Sequence, residues 1–437
     1  MEAFAPLYSD HLHTLKQRAD RLLVQQQLDG MVIDAGAPLP VFLDDMEYPF
    51  KANPHFKHWV PLFNHPHCFV VVRPGRKPQL LFYRPVDFWH TVPPVPQAQW
   101  VDEFELVVFE KLDQLPDLLP SGAGYAYIGA HPERAAQLNL TLVNPKGLLD
   151  ALHFGRSIKS DYEVACIREA NRIAVRGHEA AKQAFLSGAS EFEIQQAYLS
   201  ASGQGENEMP YGNIVALNEH CAVLHYTTWS RDVPTDPRSF LIDAGANCNG
   251  YAADITRTYA RDPGSRFAEL IVAMDQYQHR IIEAIKPGVR YTDLHSQMHS
   301  NVAQMLNEFG LARGSAEALI EQGVTKAFFP HGLGHPIGLQ VHDVAGFMQD
   351  EQGTQLAPPA GITLRCTRVM EPGMVVTIEP GLYVIDTLLN DLSASAKEML
   401  CQDEIDRLRP FGGIRIEDNV LVLSDGIENL TRCHGLD

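Results

Sequence analysis

The sequence has little of what a secreted, membrane-bound or disulfide-linked protein needs. Its seven cysteines are scattered over 437 residues and form no CxxC pair, which argues against a disulfide framework and against a thiolate zinc site. No apolar run approaches the roughly 18 residues that cross a bilayer. The N-terminus has acidic and polar residues where a signal peptide has a basic start and an apolar stretch. We therefore expect a cytoplasmic protein with reduced thiols.

Positive charge is also in short supply. The chain carries 35 Lys and Arg against 54 Asp and Glu, a formal net charge of −19. Nucleic-acid binding draws its affinity largely from clustered Lys and Arg, so a nucleic-acid partner is disfavoured and a small molecule or metal is favoured. Acidity alone is weak support, because much surface charge only keeps a protein soluble.

The length predicts two domains of mixed α/β class, which we place at residues 1–154 and 155–437. Helical spacing of apolar residues predicts a helix over 8–28, and a β-prone segment follows at 31–33. Further β-rich runs lie at 68–72, 79–83 and 125–128, separated by Pro and Gly.

Two capping boxes predict long helices at the start of the second domain. Ser160 is followed three residues later by Glu163, and Ser190 by Glu193, each before an apolar periodic run. The patterns indicate helices of about 25 and 15 residues.

The segment 239–260 predicts a β-hairpin that carries two aspartates. A turn at Asn249-Gly250 would place Asp243 opposite Thr256 and Asp254 opposite Gly245, so that both carboxylates share one face. Two such carboxylates would repel each other unless a cation lay between them, which favours a divalent metal. The alternative is that one aspartate caps the turn and the other meets solvent.

Two later segments each place a glutamate inside an apolar run. In residues 375–384, Glu379 shares a strand face with Thr377, and in residues 413–421, Glu417 shares a face with Arg415. A buried, unpaired glutamate is unfavourable, so each needs either a cation or exposure at a sheet edge. For a single glutamate exposure is favoured, but two of them beside the aspartate hairpin favour convergence on metal.

A glycine-rich loop between these elements contains His331, His335 and His342. Four carboxylates and one imidazole make an oxygen-rich set that can hold two divalent ions, as in two-metal hydrolases. The loop matches neither GxGxxG nor GxxxxGK[ST], so a phosphate loop is not indicated.

At these positions the sequence resembles the pita-bread metallopeptidases, whose ligand order is Asp, Asp, His, Glu, Glu. The resemblance implies metal ligation by all five residues, with the second and fifth as bridges: Asp243, Asp254, His335, Glu379 and Glu417. Creatinase shares the fold but lacks this metal set, so the intact set argues against that activity.

Over nearly its whole length the chain is most similar to gammaproteobacterial prolidases and to related organophosphorus acid anhydrolases. That similarity implies a homodimer in which the first domain gates the site and Asp45 of one subunit approaches the site of the other. It also implies pocket residues at Tyr211, His225, Tyr291, His331, Val341, His342, Arg365 and Arg415.

The implied activity is hydrolysis of Xaa-Pro dipeptides by a hydroxide that bridges two Mn²⁺ ions, which lower the pKa of water. Glu379 would shuttle a proton to the proline nitrogen, and His331 and His342 would bind the substrate and the oxyanion. Arg365 would grip a substrate carboxylate, or it is an ordinary surface residue; Arg415 would contact substrate or simply balance Glu417.

Three other functions stay open, and one local cluster is set aside. The same site could hydrolyse phosphotriesters, act as an X-Pro aminopeptidase on longer peptides, or survive as a non-catalytic binding module. Four histidines in Pro-rich surroundings suggest a second metal site, but without nearby Cys or paired carboxylates we interpret them as loop histidines: His55, His58, His65 and His67.

Overall fold

A computed structural model describes residues 4–437, and a six-stranded mixed sheet forms the centre of its first part. The strands are β1 (Gly30–Asp34), β2 (Phe69–Val72), β3 (Gln79–Tyr83), β4 (Glu105–Phe109), β5 (Tyr125–Ile128) and β6 (Leu142–Val143). Their order is β4-β3-β2-β1-β5-β6, with β2 antiparallel to β1 and β3 and the other neighbours parallel. The sequence predicted β1, β2, β3 and β5 but not β4 and β6.

Helices cover both faces of this sheet: α1 (Ala5–Gln25), α2 (Pro54–Trp59), α3 (Leu115–Leu118), α4 (Pro132–Gln137) and α5 (Lys146–Arg156). The side chains of Met31 and Ile33 pack in the cluster that contains α1, whereas Val32 between them packs with α3 and α4. Because both faces are covered, the strands read as continuous apolar runs rather than as an alternation.

The second part contains the remaining helices. Four of them are long: α6 (Asp161–Leu186), α7 (Glu191–Ser202), α8 (Arg266–Glu283) and α9 (Tyr291–Glu308). The others are α10 (Ala316–Glu321), α11 (Val324–Phe328), α12 (Asp386–Asn390), α13 (Ala394–Glu398) and α14 (Gln402–Leu408). Both predicted capping boxes are confirmed: Ser160 and Ser190 each accept from the backbone N–H three residues on, and the glutamates reach back to the cap.

Small antiparallel sheets form the centre of the second part. The strands are β7 (Ile214–Leu217), β8 (Ser239–Asp243), β9 (Asn247–Cys248), β10 (Tyr251–Ala252), β11 (Thr256–Ala260), β12 (Val375–Ile378), β13 (Gly381–Tyr383), β14 (Gly413–Arg415), β15 (Asp418–Leu423) and β16 (Gly426–Asn429). They pair in the orders β11-β8-β7, β10-β9, β12-β15-β16 and β13-β14. The predicted mixed α/β class is confirmed.

The two parts share one apolar cluster. It joins α1 and the first sheet to Tyr162 and Tyr251 of the second part. The predicted division after residue 154 falls inside α5, and it stays a prediction.

The interpretation of four histidines as loop residues is wrong for two of them. His55 and His58 lie in α2 and are buried, because that short helix packs between the two parts. His58 Nε2 is 3.4 Å from Oε1 of Glu163, the capping residue of α6, and His11 of α1 completes this group. Most polar atoms of this group of three side chains already have hydrogen-bond partners. His11 contacts Ser160 Oγ and the His58 carbonyl, and Glu163 accepts from the Ser160 N–H at the start of α6.

All seven cysteines lie within residues 4–437 and are free thiols. Over the same residues, no helix combines the length and the apolar character that crossing a membrane requires.

We expect Gly177→Ala to lower the free energy of unfolding by about 1–3 kcal/mol, because a Cβ there would lie 2.5 Å from the Tyr198 ring where α6 meets α7. That ring is held in place, since Tyr198 Oη donates to the Gly245 carbonyl at 2.8 Å. Urea unfolding followed by circular dichroism measures the change. The matched control is Gly147→Ala in α5, where the nearest atom is 3.8 Å away; it should be neutral or slightly stabilising. Equal stability of both variants would contradict the packing described.

Candidate metal centre

The hairpin of β8 to β11 has the register that its turn predicts. Asp243 pairs with Thr256, and Asn249 (φ 50°) with Gly250 (φ 90°) forms the tight turn. Positive φ at both positions is what a type I′ turn requires, and Asn-Gly is the dipeptide that best adopts it. The ladder is interrupted at residues 244–246 and 253–255, so Asp254 lies in a gap between β10 and β11.

This gap lets a tyrosine reach both aspartates. Tyr211 Oη lies 2.7 Å from Asp243 Oδ1 and 2.5 Å from Asp254 Oδ1. A Cβ on Gly245 would overlap the Ala253 carbonyl and the Tyr211 ring, so only glycine permits this approach. The two carboxylates therefore converge on one point, as the hairpin register predicts.

The two glutamates face each other across an antiparallel ladder whose two sides are connected by residues 384–412. Ile378 of β12 pairs with Asp418 of β15, and Gly381 of β13 pairs with Arg415 of β14. The two pairs share one register, which places Glu379 opposite Glu417 in the interruption between them. Glu417 N–H also donates to the Thr256 carbonyl at 3.0 Å, which joins this ladder to β11.

His335 is oriented with one nitrogen toward these carboxylates. Its Nδ1 lies 3.0 Å from the Pro336 carbonyl, which can only accept, so Nδ1 carries the proton. Nε2 then presents its lone pair 3.4 Å from Asp254 Oδ2 and 3.6 Å from Glu379 Oε1. This orientation by a backbone carbonyl is typical of metal-binding histidines. Ligand atoms of Asp254, His335 and Glu417 all lie within 4.8 Å of one another.

The electrostatics of the group favour a bound cation. Burial, followed by repulsion from the neighbouring carboxylates, raises the pKa of Glu417 well above its usual value. Burial also raises the pKa of Glu379 to about 7, partly offset by His335. For Asp254 burial alone would raise the pKa, but His335 brings it below its usual value. Oxygen-rich donors with such mutual repulsion fit divalent cations, and the residues present are sufficient to hold them.

Arg415 forms an ion pair with a carboxylate other than Glu417. Its Nη2 donates to Oδ2 of Asp243, the last residue of β8, at 2.7 Å. Its Nη1 donates to Tyr383 Oη at 3.0 Å. The Tyr383 hydroxyl lies 2.8 Å from His331 Nε2, and His331 Nδ1 donates to the Gly332 carbonyl, so both nitrogens of His331 are engaged.

A cavity of about 1220 Å³ opens onto the aspartates between the two parts of the chain. The predicted pocket residues Tyr211, His225, Val341 and His342 line it, together with residues of the first part. The His342 ring lies edge-on to His335 with ring centres 4.4 Å apart. Burial, then the charges of His335 and Arg365, lowers the pKa of His342 to about 4.

Three predicted pocket residues are placed differently. Asp45 is exposed, on a segment whose neighbours Leu39 and Tyr48 line the cavity. Arg365 is exposed beside the loop of His342. Tyr291 is fully buried behind the site, and its hydroxyl donates to the Thr377 carbonyl at 2.6 Å. Their roles stay predictions.

Sequence reasoning missed Tyr383 and two lysines of the first part, Lys51 and Lys57. A signal for Tyr383 was present, since Glu379, Gly381 and Tyr383 alternate on one strand face. No local pattern marks the lysines, because they reach backbone carbonyls that are distant in the sequence: Lys51 Nζ lies 2.7 Å from the Met209 carbonyl.

Comparisons with known proteins find relatives in sequence and in fold. Residues 6–154 match the model of the Xaa-Pro dipeptidase N-terminal domain, and residues 165–424 match metallopeptidase family M24. Curated relatives include the Xaa-Pro dipeptidases of Shewanella amazonensis and Shewanella frigidimarina, each 54% identical, with 100% of both chains covered.

Similar solved structures include two of Escherichia coli aminopeptidase P. The low-pH form has a TM-score of 0.74 and 24% identity, and it covers 98% of this chain and 96% of that one. The zinc-substituted enzyme in complex with product has a TM-score of 0.72 and 23% identity, with the same coverage. The shared fold and the M24 match confirm the predicted pita-bread domain.

We expect Asp254→Asn and Glu417→Gln each to bind Mn²⁺ at least about tenfold more weakly than the unaltered protein, because a neutral amide does not offset the cation charge. Isothermal titration of the metal-free protein measures the affinity. Asp425→Asn, an exposed turn residue, is the control and should bind normally. Unchanged affinity in both site variants would rule out this centre.

Proposed function

The chain belongs to metallopeptidase family M24, and from that premise we propose that it is a dipeptidase that hydrolyses the bond before a C-terminal proline. The observation that carries the proposal is the group of four carboxylates and one imidazole whose two aspartates line the interdomain cavity. The full-length identity to curated Xaa-Pro dipeptidases supports the choice of substrate.

Five residues would hold two divalent ions, proposed to be Mn²⁺: Asp243, Asp254, His335, Glu379 and Glu417. Such ions polarise the scissile carbonyl and lower the pKa of water so that it attacks at neutral pH. Tyr211 and Arg415, which both contact Asp243, keep that carboxylate charged and oriented toward the centre.

Glu379 is the proposed proton carrier. Its carboxylate, 3.6 Å from His335 Nε2, would accept a proton from the attacking water and deliver it to the proline nitrogen. His342 is the better placed of the two proposed oxyanion contacts, since it lines the cavity, whereas both nitrogens of His331 are engaged by Gly332 and Tyr383. Low pKa values, caused first by burial, keep both imidazoles neutral.

The proposal includes a homodimer and two contacts that define a dipeptide. Arg365 binds the C-terminal carboxylate, and Asp45 of the partner subunit attracts the α-ammonium group. Exposed apolar residues of the first part support a second copy, because such residues mark protein contacts. Phe42 and Leu43, close to Asp45 in the sequence, are 87% and 91% exposed, and Phe88 and Trp89 are 86% and 78% exposed. Hydrolysis of phosphotriesters in the same site stays a prediction.

We expect Ala-Pro to be cleaved well, Ala-Pro-amide poorly and Ala-Pro-Ala hardly at all, because only the dipeptide places a carboxylate at Arg365. Arg365→Ala should lower kcat/KM for Ala-Pro by about ten- to a hundredfold, the effect of losing one charge-assisted hydrogen bond. Steady-state assays with Mn²⁺ measure these values.

The control is Arg76→Ala, an exposed arginine of a turn in the first sheet, which should leave kcat/KM unchanged. An uncharged phosphotriester, if turned over, should be nearly insensitive to Arg365→Ala. Equal losses on both substrates would instead make Arg365 a structural support, and efficient cleavage of Ala-Pro-Ala would favour an aminopeptidase.

A further inference from the structure

Lys57 of α2 connects the first part of the chain to two separate segments of the metal centre. Its Nζ lies 3.3 Å from the carbonyl oxygen of Gly250 and 2.9 Å from that of Leu339. An ammonium group carries three donors, so one side chain can bond to both carbonyls at once.

The two carbonyls belong to the segments that carry the proposed ligands. Gly250 forms the turn of the hairpin that holds Asp243 and Asp254. Leu339 lies in the glycine-rich loop, between His335 and His342. The segments also meet directly, since Ala252 N–H donates to the Gly338 carbonyl at 2.9 Å.

Lys57 and the two carbonyls that it contacts lie in buried surroundings. Its stem packs on the turn, and a Cβ on Gly250 would lie 3.2 Å from Lys57 Cδ. Gly250 and Leu339 are both buried, so loss of the donor would leave their carbonyls unpaired. Burial, with the charges of Arg156 and Lys51, lowers the pKa of Lys57 to about 8, and Asp343 opposes that shift.

The other end of the loop is anchored independently. Asp343, next to His342, forms a buried ion pair with Arg156 and lies 2.9 Å from Lys159 Nζ. Asp343 N–H donates to the Pro336 carbonyl at 2.9 Å, which closes the loop on itself. The loop is therefore a closed unit, and two contacts join it to the hairpin: the bond from Ala252 N–H to the Gly338 carbonyl and the bridge through Lys57.

We propose that Lys57 is a positioning residue of the metal centre: it holds the hairpin turn and the histidine loop at the separation at which Asp254 and His335 bind the same ion. The inference rests on the proposed metallopeptidase function, but it concerns the geometry of the centre rather than the substrate. It also gives the first domain a role in metal binding in addition to shaping the cavity.

The test compares Lys57→Met, which keeps the stem and removes the donor, with Lys77→Met, an exposed lysine of a turn in the first sheet. Mn²⁺ titration of the metal-free protein should show about tenfold or greater weakening for Lys57→Met and none for Lys77→Met. Amide hydrogen exchange should accelerate over residues 246–254 and 336–342 and stay unchanged elsewhere. With Ala-Pro, kcat at limiting Mn²⁺ should fall and excess Mn²⁺ should restore it, while KM stays constant.

Lys57→Gln provides a second variant, because its shorter amide cannot reach both carbonyls; it should behave like Lys57→Met. Mn²⁺ affinity within about twofold of the unaltered protein in both variants would overturn the proposal. So would an exchange increase spread evenly over the chain, which would indicate general destabilisation. If the unaltered protein fails to cleave Ala-Pro while Lys57→Met still weakens Mn²⁺ binding, the proposed substrate is wrong and the role of Lys57 stands.

Discussion

The confinement of four carboxylates in one buried site is the constraint on which the rest of this structure depends. Without compensation, burial and mutual repulsion would drive protons onto Glu379 and Glu417, as their raised pKa values indicate. Arg415 partly neutralises Asp243, whereas no fixed positive charge pairs with Asp254 among the contacts described. The remaining charge is left for bound cations, so the same repulsion that disfavours the empty arrangement is what makes it bind divalent metal well.

The fold meets this constraint with a hairpin and a second antiparallel ladder placed side by side. The first brings its aspartates together through a tight turn and an interrupted ladder, and the second brings its glutamates together across a matching interruption. The bond from Glu417 N–H to the Thr256 carbonyl joins the two. At each interruption, the residues that carry the carboxylates are released from the ladder hydrogen bonds that would otherwise hold them in register with the sheet. The cavity between the first and second parts of the chain opens onto the two aspartates.

How much of this could be predicted depends on how local each interaction is. The Asn249-Gly250 turn determines its own register, so the positions of Asp243 and Asp254 followed from sequence alone, as did the capping boxes of α6 and α7. Strand β6 was missed because its two residues are too few to show a pattern, whereas the apolar run of β4 was present in the sequence and was overlooked. The role of Arg415 was left open between substrate contact and balance of Glu417, because strand alternation gives the face of a side chain but not which neighbouring strand that face meets. The contacts of Lys57 have no sequence signal, since backbone carbonyls accept whatever donor the tertiary structure supplies.

The central claim is that the aspartate hairpin, the glutamate ladder and the histidine loop together form one dinuclear centre. Anomalous diffraction at the manganese edge, from crystals of the protein loaded with Mn²⁺, tests it most directly. We expect two peaks bridged by Asp254 and Glu417, with His335 beside one of them and Asp243 beside the other. A single peak, or peaks located instead at the buried group of His11, His58 and Glu163, would contradict the account.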